Sequence, residues 1–362
     1  MRIVSATSAF PKHYYPQEAL FAALQQYWGD SLADAEKVRR LHNNVGVEGR
    51  YLSLPIEQYA GIGAWGEAND HWIRTAEDLG RCAISRALTA AGLQPRDIGA
   101  FFFTTVTGVA SPSIDARLVN RMGLSPNVRR VPMFGLGCVG GAAGIARAAD
   151  YVRAWPDQVA VLLAVELCSL TLQREDFSVA NLISSGLFGD GAAAVLVAGE
   201  KIGEEMASRD SGLPGVRSGP RILATRSVFY HDTQEMMGWE ISEKGFRIVL
   251  SSEVPDLIQS RLGGDVDRFL ADLGHDRNEV GSWVLHTGGP KVLRATASAL
   301  GLENGELDAS WDCLRRMGNL SSASVLVVLE EVMKNRRPAP GTLGLLAAMG
   351  PGFCSELIAL EW

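Results

Sequence analysis

VPMFGLGCVGGAAGIARAAD, residues 131–150, places one cysteine between a short apolar run and an alanine-rich stretch. The run VPMF is typical of a strand, and the alanine-rich stretch predicts a helix directly after it. Cys138 therefore lies at a tight turn, where Gly137 and Gly140 let the backbone change direction. Unpaired N–H groups and the dipole at the helix N-terminus would stabilise a thiolate there, so we interpret Cys138 as a nucleophile. A small buried residue at a strand–helix turn is the alternative interpretation.

Strands and helices alternate along the chain on both sides of this turn. Further strands are predicted over residues 97–108, 158–166, 191–199, 282–287, 342–348 and 355–361. Helices are predicted over residues 17–41, 76–93, 113–122, 248–273, 290–300 and 321–336. This order predicts an α/β fold with mostly parallel sheets that are covered on both faces. The second half repeats the element order of the first, so we expect two halves, 1–200 and 221–362, joined by the polar segment 201–220.

The overall composition excludes several kinds of protein. The chain has 362 residues, of which 47% are hydrophobic, and its net charge of −7 comes with basic residues that are spread out. We therefore expect a large core and no nucleic-acid-binding surface. The longest apolar runs are about half of the roughly 20 residues that a membrane span needs, and the N-terminus lacks a signal-peptide pattern, so we expect a cytoplasmic protein. Five cysteines without a CxxC pair predict reduced thiols, with neither a disulfide framework nor a metal site.

A nucleophilic cysteine needs a partner, and two other residues are candidates. His286 ends the apolar strand SWVLHT and opens into a Gly-Gly-Pro loop, which favours a position in a cleft; a hydrogen-bonded core histidine is the alternative. Asn319, in MGNLSSASV, follows a glycine and precedes a helix, so it can cap that helix or donate hydrogen bonds to an oxygen that becomes negative. The remaining histidines lie in polar segments and are expected at the surface: His13, His42, His71, His231 and His275.

Five motifs of the chain, in this order and spacing, resemble those of the type III polyketide synthases, the chalcone synthase family. They are FGLGCVGG, SSGLFGDGAAA, LHTGGPKVL, MGNLSSASV and MGPGF, and they extend from residue 135 to residue 353. The resemblance implies a thiolase-like fold, with two related halves in alternating α/β layers, and a homodimer. It also implies an acyltransferase that joins acyl-CoA and malonyl-CoA without a bound cofactor or a metal ion.

The resemblance implies roles for single residues. Cys138 would carry the growing acyl chain as a thioester, with His286 and Asn319 assisting it, and Phe188 would be the gatekeeper between a coenzyme A tunnel and the reaction cavity. The implied coenzyme A contacts are Lys37, Arg40 and Gly288. The implied cavity-lining residues are Thr107, Ser111, Thr171, Ile248 and Ser321.

The chain departs from the family pattern at a few positions. Asn44 stands where a third basic contact to coenzyme A is usual, which weakens that contact. A second gatekeeper phenylalanine is expected at or near Ile248, and Phe246 lies close to that position in the sequence. Thr287 and Met349 stand where the plant enzymes have proline and phenylalanine, and neither position is expected to touch the chemistry.

The resemblance further implies a reaction sequence. A thiolate–imidazolium pair of Cys138 and His286 would attack a starter acyl-CoA. Decarboxylation of malonyl-CoA would then leave an enolate whose oxygen accepts hydrogen bonds from His286 and Asn319. This enolate would attack the acyl group on the cysteine, and repeated extension followed by cyclisation would give the polyketide.

The starter and the product are predicted from finer features. Stretches such as VELCSLTLQ resemble bacterial members of the family, which implies a medium or long fatty acyl-CoA starter and an alkylpyrone or alkylresorcinol product. The small residues expected in the cavity would leave room for a long alkyl chain. A tetrahydroxynaphthalene-type synthase that uses malonyl-CoA only is the alternative; that group has a cysteine where this chain has Thr171. Three further functions stay open: an initiating ketoacyl-acyl carrier protein synthase, a non-catalytic dimer partner of the same fold, and a cysteine hydrolase.

Overall fold

A computed structural model of the protein describes residues 1–29, 34–210, 219–303 and 305–362. Its strands are β1 (Arg2–Ala9), β2 (His13–Pro16), β3 (Gly49–Leu52), β4 (Ile98–Thr105), β5 (Arg129–Phe134), β6 (Val159–Leu167), β7 (Asp190–Ala198), β8 (Arg221–Phe229), β9 (Met237–Ser242), β10 (Gly245–Leu250), β11 (Val280–Leu285), β12 (Leu343–Gly350) and β13 (Cys354–Glu361). Its α-helices are α1 (Gln17–Trp28), α2 (Ala35–Asn44), α3 (Trp65–Ala91), α4 (Ile114–Met122), α5 (Gly140–Ala154), α6 (Val179–Leu187), α7 (Glu200–Asp210), α8 (Val254–Ala271), α9 (Pro290–Leu300), α10 (Asp308–Met317) and α11 (Ser324–Asn335).

Nine strands form one continuous hydrogen-bonded sheet, and each half of the chain contributes one mixed part of it, called here the first and the second sheet. In the first half the strand order is β5-β4-β6-β7-β1, and β4 runs parallel to β5 and β6 whereas β7 is antiparallel to both of its neighbours. In the second half the order is β11-β12-β13-β8, with only β11 and β12 parallel. The two sheets share one hydrogen-bonded pair, Arg2 with Arg221.

Helices fill the space between the two sheets and cover their outer faces. Helices α5 and α11 pack between the sheets in one continuous apolar core, α3 and α4 cover the outer face of the first sheet, and α8 and α9 cover that of the second. The alanine-rich composition of α5 follows from this position, because a Cβ on its Gly144 would lie 2.4 Å from Leu162 of β6. The layering confirms the predicted α/β fold with two related halves.

The structure differs from the predicted secondary structure in several details. The sheets are mixed because the short turn between β12 and β13 can join only antiparallel strands. The segment 201–220 is predicted as a connection, but α7 forms at its start, and residues 211–218 lie outside the described part. The helix predicted over 248–273 begins at Val254, with a proline in its first turn, because β9 and β10 form a hairpin directly before it.

Candidate active site

Cys138 lies where the sequence places it, in a short 3₁₀ turn between β5 and the N-terminus of α5. The residue is 6% exposed. Its Sγ lies 3.8 Å from the hydroxyl oxygen of Ser321, and the side chain of Asn319 is near enough to favour the thiolate form of the sulfur. Residues from the two halves of the chain therefore meet at this thiol.

Glycines allow the close approach of the segments around the thiol. Gly137 has a φ of +52°, which favours glycine. A Cβ on Gly141 would lie 2.2 Å from the carbonyl oxygen of Ser322, and a Cβ on Gly350 would lie 2.6 Å from the backbone nitrogen of Val139. The turn of Cys138 is thus packed backbone to backbone against both the Ser322 segment and the end of β12.

The carboxamide of Asn319 has a fixed orientation. Its Oδ1 accepts hydrogen bonds from the backbone nitrogen of Ser321 at 2.7 Å and from the hydroxyl of Ser324 at 3.2 Å. With the oxygen occupied in this way, the NH₂ group is the part of the amide that can donate to the sulfur of Cys138. The bond from the Ser321 nitrogen agrees with the cap interpretation for Asn319, since Ser321 begins the 3₁₀ turn before α11, and the NH₂ group can still serve as the expected donor.

His286 follows the last residue of β11 and is buried. Its backbone nitrogen donates to the carbonyl of Ala347 in β12, and β12 ends at Gly350, which packs against the turn of Cys138. Neither ring nitrogen has a hydrogen-bond partner among the described residues. A buried imidazole without partners is costly, and such groups mark sites where a ligand can supply the missing bonds.

Burial shifts the ionisation of both groups toward their neutral forms. It raises the pKa of the Cys138 thiol to about 12, against the opposing hydrogen bonds from Ser321 and Asn319. It lowers the pKa of His286 to about 4. The expected thiolate and the expected thiolate–imidazolium pair are therefore wrong for the resting site, because removal of the charges from water outweighs the helix N-terminus.

We predict that alkylation of Cys138 by iodoacetamide speeds up about tenfold per pH unit from neutral pH to about pH 10, without levelling off. The thiol pKa lies above its ordinary value, so the reactive thiolate fraction keeps growing with pH across this range. The rate is measured by mass spectrometry on the peptide that contains Cys138. A rate that is constant above neutral pH would show a preformed thiolate and contradict the prediction.

Glu166 is a buried carboxylic acid that the sequence motifs do not single out. It accepts hydrogen bonds from the hydroxyl of Thr107 at 2.9 Å, from the backbone nitrogen of Val106 at 3.1 Å and from the hydroxyl of Ser322. Burial raises its pKa to about 7, and its charge acts on the thiol of Cys138. The sequence feature that could have indicated Glu166 is its position near the end of the apolar run VAVLLAVEL, where a carboxylate is unusual.

A cavity of about 950 Å³ lies beside these residues. Its walls come from α1, the short helix Ile56–Gly61, the turn Cys168–Thr171, the end of α6 and the β9–β10 hairpin. Its lining includes apolar residues such as Leu24 and Ile62. Polar and ionisable side chains also line it, among them Arg50, Tyr59, Cys168, Ser169, Gln173, Ser184 and Ser185.

The implied cavity residues are not all found in this wall. Thr171, Ile248 and Phe188 line the cavity, as does Phe246, which packs edge-on against the Trp65 and Trp239 rings. Three others do not line it: Thr107 and Ser321 are buried beside Glu166 and Cys138, and Ser111 is exposed.

Phe188 connects the cavity to the candidate catalytic residues. Cys138, His286 and Asn319 are not among the residues that line the cavity. Phe188 lines it and also pairs through its backbone with Asn319 in a parallel β-bridge. Phe188 therefore lies between the cavity and the thiol site, because it borders the cavity and is paired with Asn319.

The implied coenzyme A contacts lie on two segments of the chain that meet through one packing contact. Lys37 and Arg40 are exposed on α2, and Gly46, just after this helix, packs against Pro290, two residues past Gly288. His42 of the same helix is expected at the surface but is 1% exposed. Its inner position follows from the packing of α2 against α6, where its Nε2 lies 3.1 Å from the carbonyl of Leu182.

In the part of the chain that the structure describes, no group of three or more His, Cys, Asp or Glu side chains is arranged to hold a metal ion. None of the described helices combines the length and the apolar character that crossing a membrane requires.

Known proteins resemble this chain over nearly its whole length. The family model for the N-terminal domain of chalcone and stilbene synthases matches residues 2–201, and the model for their C-terminal domain matches residues 222–361. The 1,3,6,8-tetrahydroxynaphthalene synthase of Streptomyces peucetius subsp. caesius is 50% identical over 360 residues, covering 99% of this chain and 93% of that protein. The putative chalcone synthase of Bacillus subtilis (strain 168) is 33% identical over 365 residues, covering 99% and 98%. The crystal structure of 1,3,6,8-tetrahydroxynaphthalene synthase from Streptomyces coelicolor A3(2) gives a TM-score of 0.91 at 28% identity and covers 100% of this chain and 99% of that one.

Proposed function

The chain belongs to the chalcone and stilbene synthase family of type III polyketide synthases, and we propose that it condenses malonyl-CoA alone to a tetrahydroxynaphthalene-type product. The enzyme is an acyltransferase-type condensing enzyme, and enzymes of this family use coenzyme A esters without a bound cofactor. The observation that carries the proposal is the identity of half of all residues to the Streptomyces peucetius enzyme. Membership in this family also sets aside the ketoacyl-acyl carrier protein synthase.

The predicted fatty acyl-CoA starter is not supported by the comparisons. It depended on Thr171, which stands where tetrahydroxynaphthalene synthases have a cysteine, and on small residues in the cavity wall. The identity of half of the residues over the whole chain is stronger evidence about the starter than one threonine. The polar side chains of the cavity wall, which include Arg50, Tyr59 and Ser169, also suit a chain with a carbonyl on every second carbon better than an alkyl chain.

We expect malonyl-CoA alone to give an aromatic pentaketide, released together with one carbon dioxide and one coenzyme A for each unit joined. Lauroyl-CoA added to the same reaction should leave this product dominant. Liquid chromatography with mass spectrometry measures both. Alkylpyrones or alkylresorcinols as the main products, with no turnover of malonyl-CoA alone, would restore the fatty acyl prediction.

In the proposed loading step, Cys138 attacks the thioester carbonyl of the acyl-CoA. Since thiol and imidazole are both neutral at rest, His286 takes the thiol proton as the S–C bond forms. It returns this proton to the coenzyme A sulfur as that C–S bond breaks, so coenzyme A leaves as a thiol. The unpaired ring nitrogens of His286 support this role, because one can accept a proton while the other donates. The burial of both groups supports this role of His286 as well. The ion pair of thiolate and imidazolium then forms only during the reaction, so the resting site avoids the cost of burying it.

In the proposed extension step, malonyl-CoA loses carbon dioxide and leaves an enolate. The NH₂ group of Asn319 and a protonated ring nitrogen of His286 stabilise its oxygen by hydrogen bonds. The oriented carboxamide of Asn319 supports this assignment, since its oxygen is held away by Ser321 and Ser324. The enolate carbon then attacks the acyl group on Cys138, and the C–S bond breaks.

The remaining residues are assigned to substrate passage. Phe188 is proposed as the gate between the coenzyme A side and the cavity, and its backbone bridge to Asn319 supports that position. Lys37 and Arg40 are proposed to bind the phosphates of coenzyme A beside Gly288, and their exposure on α2 supports this role. Thr171 and Ile248 would contact the growing chain.

A homodimer is proposed as well. Strand β5 supports it, because it is an edge strand whose second side has no strand partner among the described residues and whose Val131 and Phe134 are exposed. Pairing of this edge with the same strand of a second copy would cover the apolar side chains. Sedimentation of the purified protein is expected to give twice the chain mass of 38.9 kDa, and a monomer at micromolar concentration would contradict the proposal.

A further inference from the structure

Arg50 is a buried cation at the wall of the cavity, and it takes no part in the proton and acyl transfers described above. It lies in β3 and is 3% exposed. No carboxylate of the described residues lies within ion-pair distance of it, and of the charges that act on its pKa, that of Asp190 has the largest effect. Burial lowers this pKa to about 10, so the guanidinium stays protonated at neutral pH. The burial of this charge is therefore not explained by an ion pair, and the neutral groups that bind it must offset the cost of removing it from water.

The guanidinium binds the end of one helix. Its Nη1 donates to the carbonyl of Gly186 at 2.6 Å and its Nη2 donates to the carbonyl of Ser185, both in the last turn of α6. Gln17 accepts a hydrogen bond from the same Nη1 and itself donates to the Gly186 carbonyl at 2.9 Å. Carbonyls at a helix C-terminus lack partners within the helix and carry its negative dipole end, so a cation is well placed there.

The end of α6 in turn holds Asn319. The backbone nitrogen of Asn319 donates to the carbonyl of Leu187 at 2.9 Å, and its carbonyl accepts from the nitrogen of Gly189 at 3.0 Å. The backbone of Gly318 and Asn319 packs closely against Leu187, since a Cβ on Gly318 would lie 2.5 Å from the Leu187 carbonyl oxygen. Displacement of Leu187 and Gly189 would therefore move Asn319 with them.

We propose that Arg50 is a positioning residue, which fixes the C-terminal end of α6 so that the Asn319 carboxamide stays aimed at the reacting oxygen. The same contacts fix Phe188, which lies between the two residues that bind Asn319. The inference rests on the proposed function, because it assigns Arg50 to the decarboxylation that Asn319 serves. Loading of Cys138 depends less on this segment, since Ser321 also contacts the sulfur.

The test compares two rates in purified Arg50→Gln and Arg50→Lys. The first is carbon dioxide release from malonyl-CoA, and the second is acetyl transfer from acetyl-CoA to the protein, measured by intact mass. In Arg50→Gln the ratio of release to transfer is expected to fall about tenfold or more, because a small displacement of an oriented group is costly. Arg50→Lys keeps the charge and a donor, so it should fold and recover part of the ratio.

A double variant separates positioning from general damage. If Arg50 acts through Asn319, Arg50→Gln added to Asn319→Ala should cause no further loss of carbon dioxide release. The matched control is Arg86→Gln, which removes an arginine bond to the Ser8 carbonyl elsewhere and should leave the ratio unchanged. An unchanged ratio in both Arg50 variants, or an additive loss in the double variant, would overturn the inference. A wild-type protein that releases no carbon dioxide from malonyl-CoA would instead overturn the proposed function, and this inference with it.

Discussion

Replacement of Cys138 by alanine is expected to lower polyketide formation from malonyl-CoA by at least about a thousandfold, since a variant without its nucleophile loses the covalent step entirely. Decarboxylation of malonyl-CoA should persist within a few-fold of wild type, because His286 and Asn319 stabilise the enolate without help from the sulfur. Product is measured by mass spectrometry and carbon dioxide by release of label.

The control for this variant is Cys168→Ala. Cys168 is also buried, and it lines the cavity, which Cys138 does not. It should therefore retain condensation, with a change limited to product distribution. Normal polyketide formation by Cys138→Ala, or loss of polyketide formation in Cys168→Ala, would contradict the assignment of Cys138 as the nucleophile.

Asn319→Ala should give the opposite pattern. Loss of one donor to a developing oxyanion typically costs about a hundredfold or more, so carbon dioxide release from malonyl-CoA should fall by that factor. Transfer of an acetyl group from acetyl-CoA to Cys138 should stay within a few-fold of wild type, since the proton transfer to His286 does not involve the amide. Release and transfer are measured in parallel on the same preparation.

The contrary outcome is equally specific. If Asn319→Ala loads poorly and decarboxylates normally, the amide serves the loading step instead. Asn319→Asp is a useful companion variant, because it keeps the shape and the accepting oxygen but replaces the donating NH₂ group by a second acceptor. It should lose decarboxylation as Asn319→Ala does.

The local part of the site could be predicted from the sequence. The position of Cys138 between a strand and a helix follows from the apolar run before it and the alanine-rich stretch after it, both of which are short-range signals. His286 could be placed for a similar reason, at the end of an apolar strand before two glycines. The structure places both residues at these predicted joints.

The charge states and the positioning residues could not be predicted in this way. The pKa of the Cys138 thiol is raised because the folded layers of sheet and helix exclude water from it. A short stretch of sequence does not show how completely water is excluded. Glu166, His42 and Arg50 are polar residues whose burial arises from contacts more than a hundred residues away in the chain, such as Arg50 with Gly186. A histidine in a polar segment and an arginine in a short strand therefore resemble surface residues in the sequence.

Peptide mapping of a trapped intermediate can show whether the thiol of Cys138 carries the acyl chain. The protein is mixed with isotopically labelled malonyl-CoA, quenched in acid within one turnover, and digested. Labelled acyl groups are expected on the peptide that contains Cys138. Label on the peptide of Cys168, or product formation without any labelled cysteine, would contradict this role of Cys138.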